Sequence, residues 1–77
     1  MFDLKVLGKT KVLFDDAASS LFVEGADSDF ELLSFHSPLV GIIDKGYIVI
    51  NNKYKIKAAG GIVSFCENKC LVMVEEI

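Results

Sequence analysis

Apolar and polar residues alternate along several stretches of the chain with a period of two. Near the start, Phe2, Leu4 and Val6 are separated by charged residues, and Val72 and Val74 repeat this spacing near the end. Successive side chains of a strand point to opposite faces, whereas a helix repeats every 3.6 residues. No helical stripe persists over about eleven residues, so the pattern predicts strands.

Small clusters of Gly, Asp, Asn and Lys interrupt the alternating stretches at short intervals, as turns do. Strands are predicted at 2–7, 11–15, 19–24, 30–34, 39–43, 46–51, 53–58, 61–66 and 69–75. We therefore predict an all-β fold, a small antiparallel β-sandwich or flattened barrel of about nine or ten short strands. Residues 1–77 are expected to form a single domain.

The hairpin around Asn51 and Asn52 has two possible registers. A two-residue turn would place Ile50 opposite Lys53, whereas a three-residue loop ending at Lys53 would place Ile50 opposite Tyr54. Either register leaves apolar side chains on both faces of the hairpin, although a sandwich buries only one face of each sheet. The apolar side chains on the second face form either ordinary exposed apolar surface or a partner-binding face.

Composition and charge restrict the possible functions. The chain is 52% apolar and 25% charged, which is typical of a folded domain, with a folded surface of roughly 4,600 Å². The chain has eight lysines, no arginine and eleven acidic residues, so its net charge is −3 and would repel nucleic acid. The longest uncharged stretch, twelve residues from Leu32 to Ile43, is shorter than the ~20 that cross a bilayer. The N-terminus lacks a secretory signal pattern, which predicts a reducing compartment.

Candidate chemistry is sparse. His36, Cys66 and Cys70 are too few for a structural zinc site. A Cys–His dyad would need His36 beside a thiol and a third group to orient it, and nothing in the sequence requires that arrangement. The cysteines are interpreted as a cross-strand pair of small apolar residues around a turn at 67–69, with a disulfide as the alternative. We expect no catalytic residue, no metal and no cofactor.

Two further segments have individual features. Asp27 and Asp29 lie in a run of small polar residues, which is typical of a solvated turn or, alternatively, of a contact loop. Pro38 removes a backbone donor and holds Ser37 extended, so the segment beginning at His36 reads as a sheet corner.

Taken in order, four segments resemble the N-terminal β-sandwich domain of the epsilon subunit of F-type ATP synthase, called delta in mitochondria. The segments are Leu4–Val6; Leu13-Phe14 with Val23-Glu24-Gly25; His36-Ser37-Pro38-Leu39 with Gly46 and Ile48; and Gly60-Gly61-Ile62-Val63. Where the family usually reads Gly-Glu-Leu-Gly-Ile-x-Pro-Gly-His, this chain reads Ser-Asp-Phe-Glu-Leu-Leu-Ser-Phe-His over residues 28–36. Three glycines and a proline are replaced, whereas Asp29 retains the acid.

The resemblance implies a non-catalytic rotor subunit of the proton-translocating enzyme. It would couple the gamma subunit to the polar loops of the c-ring at the cytoplasmic face of the bacterial inner membrane, and would associate with the membrane only through the complex. The resemblance assigns the c-ring contact to Asp27, Ser28, Asp29 and Phe30. It assigns the gamma contact to Gly8, His36, Leu39 and Gly41. The C-terminal helical domain that the family commonly adds is not expected.

Two other hypotheses remain at this point. The first is a stand-alone small β-barrel that binds a small ligand or a metal, which would need a polar cluster inside an apolar cavity. The second is a thiol-dependent enzyme that uses Cys66 or Cys70.

Overall fold

The computed structural model describes residues 1–76, which form eight strands and no helix, and therefore no helix that could cross a membrane. The strands are β1 (Phe2–Leu7), β2 (Val12–Ala18), β3 (Ser20–Val23), β4 (Phe30–Leu33), β5 (Leu39–Ile43), β6 (Gly46–Ile50), β7 (Tyr54–Cys66) and β8 (Lys69–Glu76). The all-β prediction is confirmed, but the predicted count of nine or ten strands is wrong.

The count differs because the predicted strands 53–58 and 61–66 are one continuous strand, β7. A bulge at Ala59 shifts the register of β7 against β8 between Ala58 and Gly60. An extra residue reverses which side chains face inward. Ala58 and Val63 are consequently both buried, although they differ in parity along the strand.

Strand β7 belongs to both layers of the molecule. Its first half, residues 54–58, pairs with β6, and its second half pairs with β5 on one edge and β8 on the other. The first layer therefore runs β5-β7-β8-β1-β2, and the second layer runs β7-β6-β3-β4. All strand pairs are antiparallel except β1 with β8, which is parallel and corrects the fully antiparallel prediction.

The core lies between the two layers and consists of apolar side chains from every strand. Phe2 and Phe65 contact each other edge to face, with ring centroids 5.4 Å apart. The fully buried large side chains are Phe2, Phe65, Leu4, Leu21, Leu32, Ile43, Ile48, Ile50, Val6, Val23, Val63 and Val72. The accessible surface is 4782 Å², close to the value expected from the chain length.

The β6–β7 hairpin adopts the register of the three-residue loop. Ile50 pairs with Tyr54, and the Lys53 amide donates to the Ile50 carbonyl oxygen at 3.0 Å. Asn51 and Asn52 have φ values of 56° and 54°, a left-handed conformation that asparagine tolerates better than most residues. The two-residue alternative is therefore wrong.

The cysteines do not form the cross-strand pair that the sequence suggested. The β7–β8 turn contains two residues, Glu67 and Asn68, so Cys66 pairs with Lys69 while Cys70 pairs with Phe65. Cys66 is exposed, Cys70 is buried, and both are free thiols. The disulfide alternative is therefore also wrong.

Candidate functional site

The outer face of the first layer carries a row of apolar side chains that crosses all five strands. The strand registers place the following residues side by side: Ile42, Ile62, Met73, Leu7 and Val12. Neighbouring strands lie about 4.8 Å apart, so the row extends over about 19 Å. Ile42 is 61% exposed and Met73 48% exposed. We call these five residues the apolar row.

The next line of outward side chains is more polar towards β2. It runs through Val40, Ser64, Leu71, Lys5 and Asp15. Lys5 Nζ lies 3.9 Å from Asp15 Oδ2, and both side chains are at least half exposed, so this ion pair adds little stability. The apolar surface is therefore concentrated at the β5–β7–β8 part of the face.

The segment assigned to the c-ring lies beside part of the segment assigned to gamma. The Ala26 amide donates to the Ile42 carbonyl oxygen at 2.9 Å, which holds the loop after β3 against β5. Asp27, Ser28, Leu39 and Gly41 line one shallow groove there, together with Phe30. The structure thus brings together three of the four residues predicted for the c-ring contact and two of the four predicted for the gamma contact.

Phe30 and the acids of this loop have different environments. The Phe30 ring packs against the core and covers Gly41, where an added Cβ would lie 2.8 Å from the ring. Asp27, Ser28 and Asp29 are exposed. The exposed acids are therefore available to a partner, whereas Phe30 mainly holds the loop in position.

His36 and Gly8, both assigned to the gamma contact, lie at opposite ends of the first layer. The His36 ring contacts the Phe65 ring at a centroid distance of 5.8 Å, beside the start of β5. Its Nδ1 donates to the Ser37 carbonyl oxygen at 2.7 Å. Gly8 follows β1, and its amide donates to the Lys11 carbonyl oxygen at 2.8 Å. The structure does not bring Gly8 and His36 together.

Residues 33–36 form a β-turn that the sequence reasoning missed. The His36 amide donates to the Leu33 carbonyl oxygen at 3.2 Å, and Phe35, the third residue of the turn, has a φ of 61°. A positive φ at this position alone defines a type II turn, which normally needs glycine there and favours proline before it. Ser34-Phe35 therefore forms a turn that a Pro-Gly pair would favour.

Asn68 fixes this turn from the β7–β8 hairpin. Its Oδ1 accepts a hydrogen bond from the Phe35 amide at 2.7 Å, and its Nδ2 donates to the Met1 carbonyl oxygen at 2.9 Å. Its own carbonyl oxygen accepts from the Asp3 amide at 3.2 Å. The only sequence signal for this arrangement was the replacement of Pro-Gly, since Asn68 looked like an ordinary turn residue.

The thiols, the potential metal ligands and the surface depressions were the other candidate sites. Burial raises the pKa of the Cys70 thiol to about 12, the opposite of what a thiolate nucleophile needs. Within residues 1–76, no three side chains of His, Cys, Asp or Glu gather as metal ligands would. The surface depressions beside Gly41, at Gly60–Gly61 and along the Lys5–Asp15 ion pair are open, and the space between the layers is filled with apolar side chains.

Comparisons with known proteins agree with the fold. Residues 1–77 match the family model described as the ATP synthase delta/epsilon chain β-sandwich domain. The ATP synthase epsilon chain of Sulfurovum sp. strain NBC37-1 is 32% identical over 76 residues, which cover 99% of this chain and 56% of that protein. The epsilon chain of Rhodospirillum rubrum is 27% identical over 78 residues, covering 96% and 58%. The chain thus spans little more than half the length of these relatives.

Two solved structures have the same fold at low sequence identity. A chain of the Tetrahymena thermophila mitochondrial ATP synthase central stalk and c-ring superposes with a TM-score of 0.83 at 13% identity, covering 96% of this chain and 63% of that chain. A chain of the Euglena gracilis mitochondrial ATP synthase gives a TM-score of 0.84 at 11% identity, covering 97% and 51%. These matches establish the two-layered fold.

Proposed function

The chain belongs to the ATP synthase delta/epsilon β-sandwich family, and from this premise we propose that it acts as a non-catalytic central-stalk subunit that couples the gamma subunit to the c-ring. A stalk needs a stiff body with permanent contacts to its neighbours. Two hydrogen-bonded layers that share strand β7 provide stiffness, because β7 bonds to three other strands.

The apolar row is the observation that carries the proposal. Charged residues are depleted at the centre of permanent interfaces, and obligate interfaces resemble a core cut in half. Five adjacent strands present apolar side chains here, although a sandwich gains nothing from apolar residues on its outer face. We assign this face to the gamma subunit, with Leu39 and Gly41 as contacts only at the edge of β5, because Leu39 packs against the core and the Phe30 ring covers Gly41.

His36 and Gly8 belong to the same proposal as contacts at the two ends of that face. His36 would act as a polar anchor near Phe65, and the loop at Gly8, whose missing side chain leaves room for Glu76 of the same chain, would contact gamma through its backbone. Because His36 lies near the end of β7 and Gly8 follows β1, a single gamma surface would have to extend across several strands of the layer. That extent is consistent with a standard protein interface.

The exposed acids of the loop after β3 are the proposed c-ring contact. Asp27, Ser28 and Asp29 face solvent, and Phe30 anchors the loop on Gly41. An exposed ion pair between Asp29 and a basic ring loop would be worth about 0.5–1 kcal/mol. The subunit would then associate with the cytoplasmic face of the bacterial inner membrane only through the assembled complex.

Binding to gamma tests the proposal. The chain would be mixed with the gamma subunit of the same organism's ATP synthase and analysed by size-exclusion chromatography and calorimetry. We expect co-elution at micromolar concentration. Ile62→Asp, within the apolar row, should weaken binding at least tenfold, because a carboxylate would be buried in the interface.

Tyr54→Asp provides the matched control, since Tyr54 is exposed to nearly the same extent (50% against 46% for Ile62) but lies on β7 outside the apolar row. This variant should bind gamma as the wild type does. Urea unfolding of both variants would show that each is folded. Failure of the wild-type chain to bind gamma would contradict the proposed function.

A further inference from the structure

Phe35 is the most exposed large apolar side chain of residues 1–76, at 82%. Phe2 and Phe65 are buried, and the phenylalanines at 14, 22 and 30 are partly buried. We propose that Phe35 is an aromatic anchor that inserts into an apolar pocket of the partner protein bound at the His36 end of the apolar face. This inference rests on the proposed function, since it names a residue of the gamma contact.

The backbone of Phe35 provides the first argument. Its φ of 61° is the left-handed conformation, which is costly for a bulky side chain and free for glycine. Phe35 is the only aromatic residue in this conformation among residues 1–76. A strained residue persists where the surrounding structure fixes it, and such residues are concentrated at functional positions.

The side chain provides the second argument. With 82% of its surface exposed, the Phe35 ring recovers almost no burial from its own chain in exchange for the backbone strain. Replacement by glycine would remove the strain without opening a cavity. A phenylalanine at this position therefore benefits the molecule only if something outside the chain buries the ring.

The hydrogen bond between the Phe35 amide and the Asn68 side chain provides the third argument. Asn68 Oδ1 holds the Phe35 amide at 2.7 Å, and the Leu33–His36 hydrogen bond closes the turn. A large ring on a fixed backbone loses little conformational entropy on binding, which is how rigid aromatic anchors achieve affinity. Aromatic residues, phenylalanine included, are enriched in protein interfaces relative to the rest of the surface.

The surroundings identify the kind of partner. Phe35 lies within the uncharged stretch from Leu32 to Ile43, and two further exposed apolar side chains are close in the fold, Leu33 at 51% and Met1 at 70%. Met1 is tied to the same Asn68 side chain. An uncharged, apolar projection complements an apolar protein pocket rather than phosphate groups. It is also continuous with His36 and Leu39 of the proposed gamma contact.

The Phe35→Gly variant separates binding from folding. Urea unfolding should give a midpoint equal to or above that of the wild type, because glycine relieves the left-handed strain. Calorimetry with the gamma subunit should show at least a tenfold loss of affinity. Phe35→Leu, which keeps an apolar side chain on the strained backbone, should bind between the two and be no more stable than the wild type.

Several outcomes would overturn the inference. If wild-type chain binds gamma and Phe35→Gly binds equally well, Phe35 is not an anchor, and the proposed function stands. A lower unfolding midpoint for Phe35→Gly would contradict the strain argument. Phe35-dependent dimerisation in light scattering, or Phe35-dependent flotation with phosphatidylcholine–phosphatidylglycerol vesicles, would assign the ring to a second copy or to lipid instead.

Discussion

Substitution of Asn68 tests how much its side-chain hydrogen bonds stabilise the turn at residues 33–36. Its side chain makes two hydrogen bonds, to the Phe35 amide at 2.7 Å and to the Met1 carbonyl oxygen at 2.9 Å. Its backbone has a φ of 59°. Asn68→Gly removes the two bonds but tolerates the backbone, whereas Asn68→Ala removes the bonds and strains the backbone as well.

The two effects can be separated in magnitude. Two hydrogen bonds near the surface contribute about 1–2 kcal/mol together, so Asn68→Gly should lower the free energy of unfolding by that amount. The left-handed backbone adds about 1–2 kcal/mol for alanine, giving about 2–4 kcal/mol for Asn68→Ala. A chain of 77 residues has a total stability of roughly 4–12 kcal/mol, so both changes are measurable.

Urea unfolding followed by circular dichroism measures these differences, with an m-value of about 1 kcal/mol/M for a domain of this size. Asn52 is a matched control, because its φ of 54° is similar and its side chain makes no hydrogen bond to residues 1–76. Asn52→Gly should be neutral, and Asn52→Ala should lose only the backbone contribution. The reasoning is refuted if Asn68→Gly is as stable as the wild type.

Two further predictions concern the glycines of β7 and the buried thiol of Cys70. Gly61→Ala should destabilise the fold by about 1–3 kcal/mol in urea unfolding, because the new Cβ would lie 2.6 Å from the Met73 carbonyl oxygen. Gly60→Ala should be nearly neutral, because its Cβ would lie 3.6 Å from its nearest neighbour. Equal losses of stability in the two variants would contradict this prediction. Cys70 keeps its proton in the fold up to its pKa of about 12 but loses it near 9 when unfolded, so stability should fall as pH rises from 9 to 12, by up to about 1.4 kcal/mol per pH unit. Subtracting the pH profile of Cys70→Ala isolates this loss, and parallel profiles would disprove it.

The strands were predictable from the sequence because alternation records which side chains face the core. The continuity of β7 was not, because Gly60-Gly61 has the composition of a turn. The structure instead requires Gly61 for close approach to Met73 of β8. The parallel pairing of β1 with β8 was also hidden, since alternation specifies the buried face but not the neighbouring strand.

The prediction that Cys66 pairs with Cys70 was wrong because the β7–β8 turn is one residue shorter than predicted. A three-residue turn at 67–69 would have set Cys66 opposite Cys70, but the observed two-residue turn sets Cys66 opposite Lys69. A shift of one residue moves a side chain to the other face of the sheet. Hairpin registers therefore decide which residues are buried, and only the backbone conformations of the turn residues reveal them.

The apolar row and Phe35 depend on contacts between distant parts of the chain. The row is formed by five strands whose order is not sequential, and Asn68 lies 33 residues from Phe35. Sequence alone identified a surplus of apolar side chains without locating it. It also identified the replacement of Pro-Gly by Ser34-Phe35, but gave no reason to expect the turn to survive that replacement.

The residues of this chain that depart from the usual sequence preferences lie on its surface rather than in its core. The interior is a continuous cluster of apolar side chains, and no buried side-chain polar atom of residues 1–76 lacks a hydrogen bond. The exceptions are the apolar row on a face that should be polar and a phenylalanine where a glycine belongs. Local violations in an otherwise consistent protein are expected where function requires them. Since both belong to surfaces proposed to contact gamma, one bound protein would account for both.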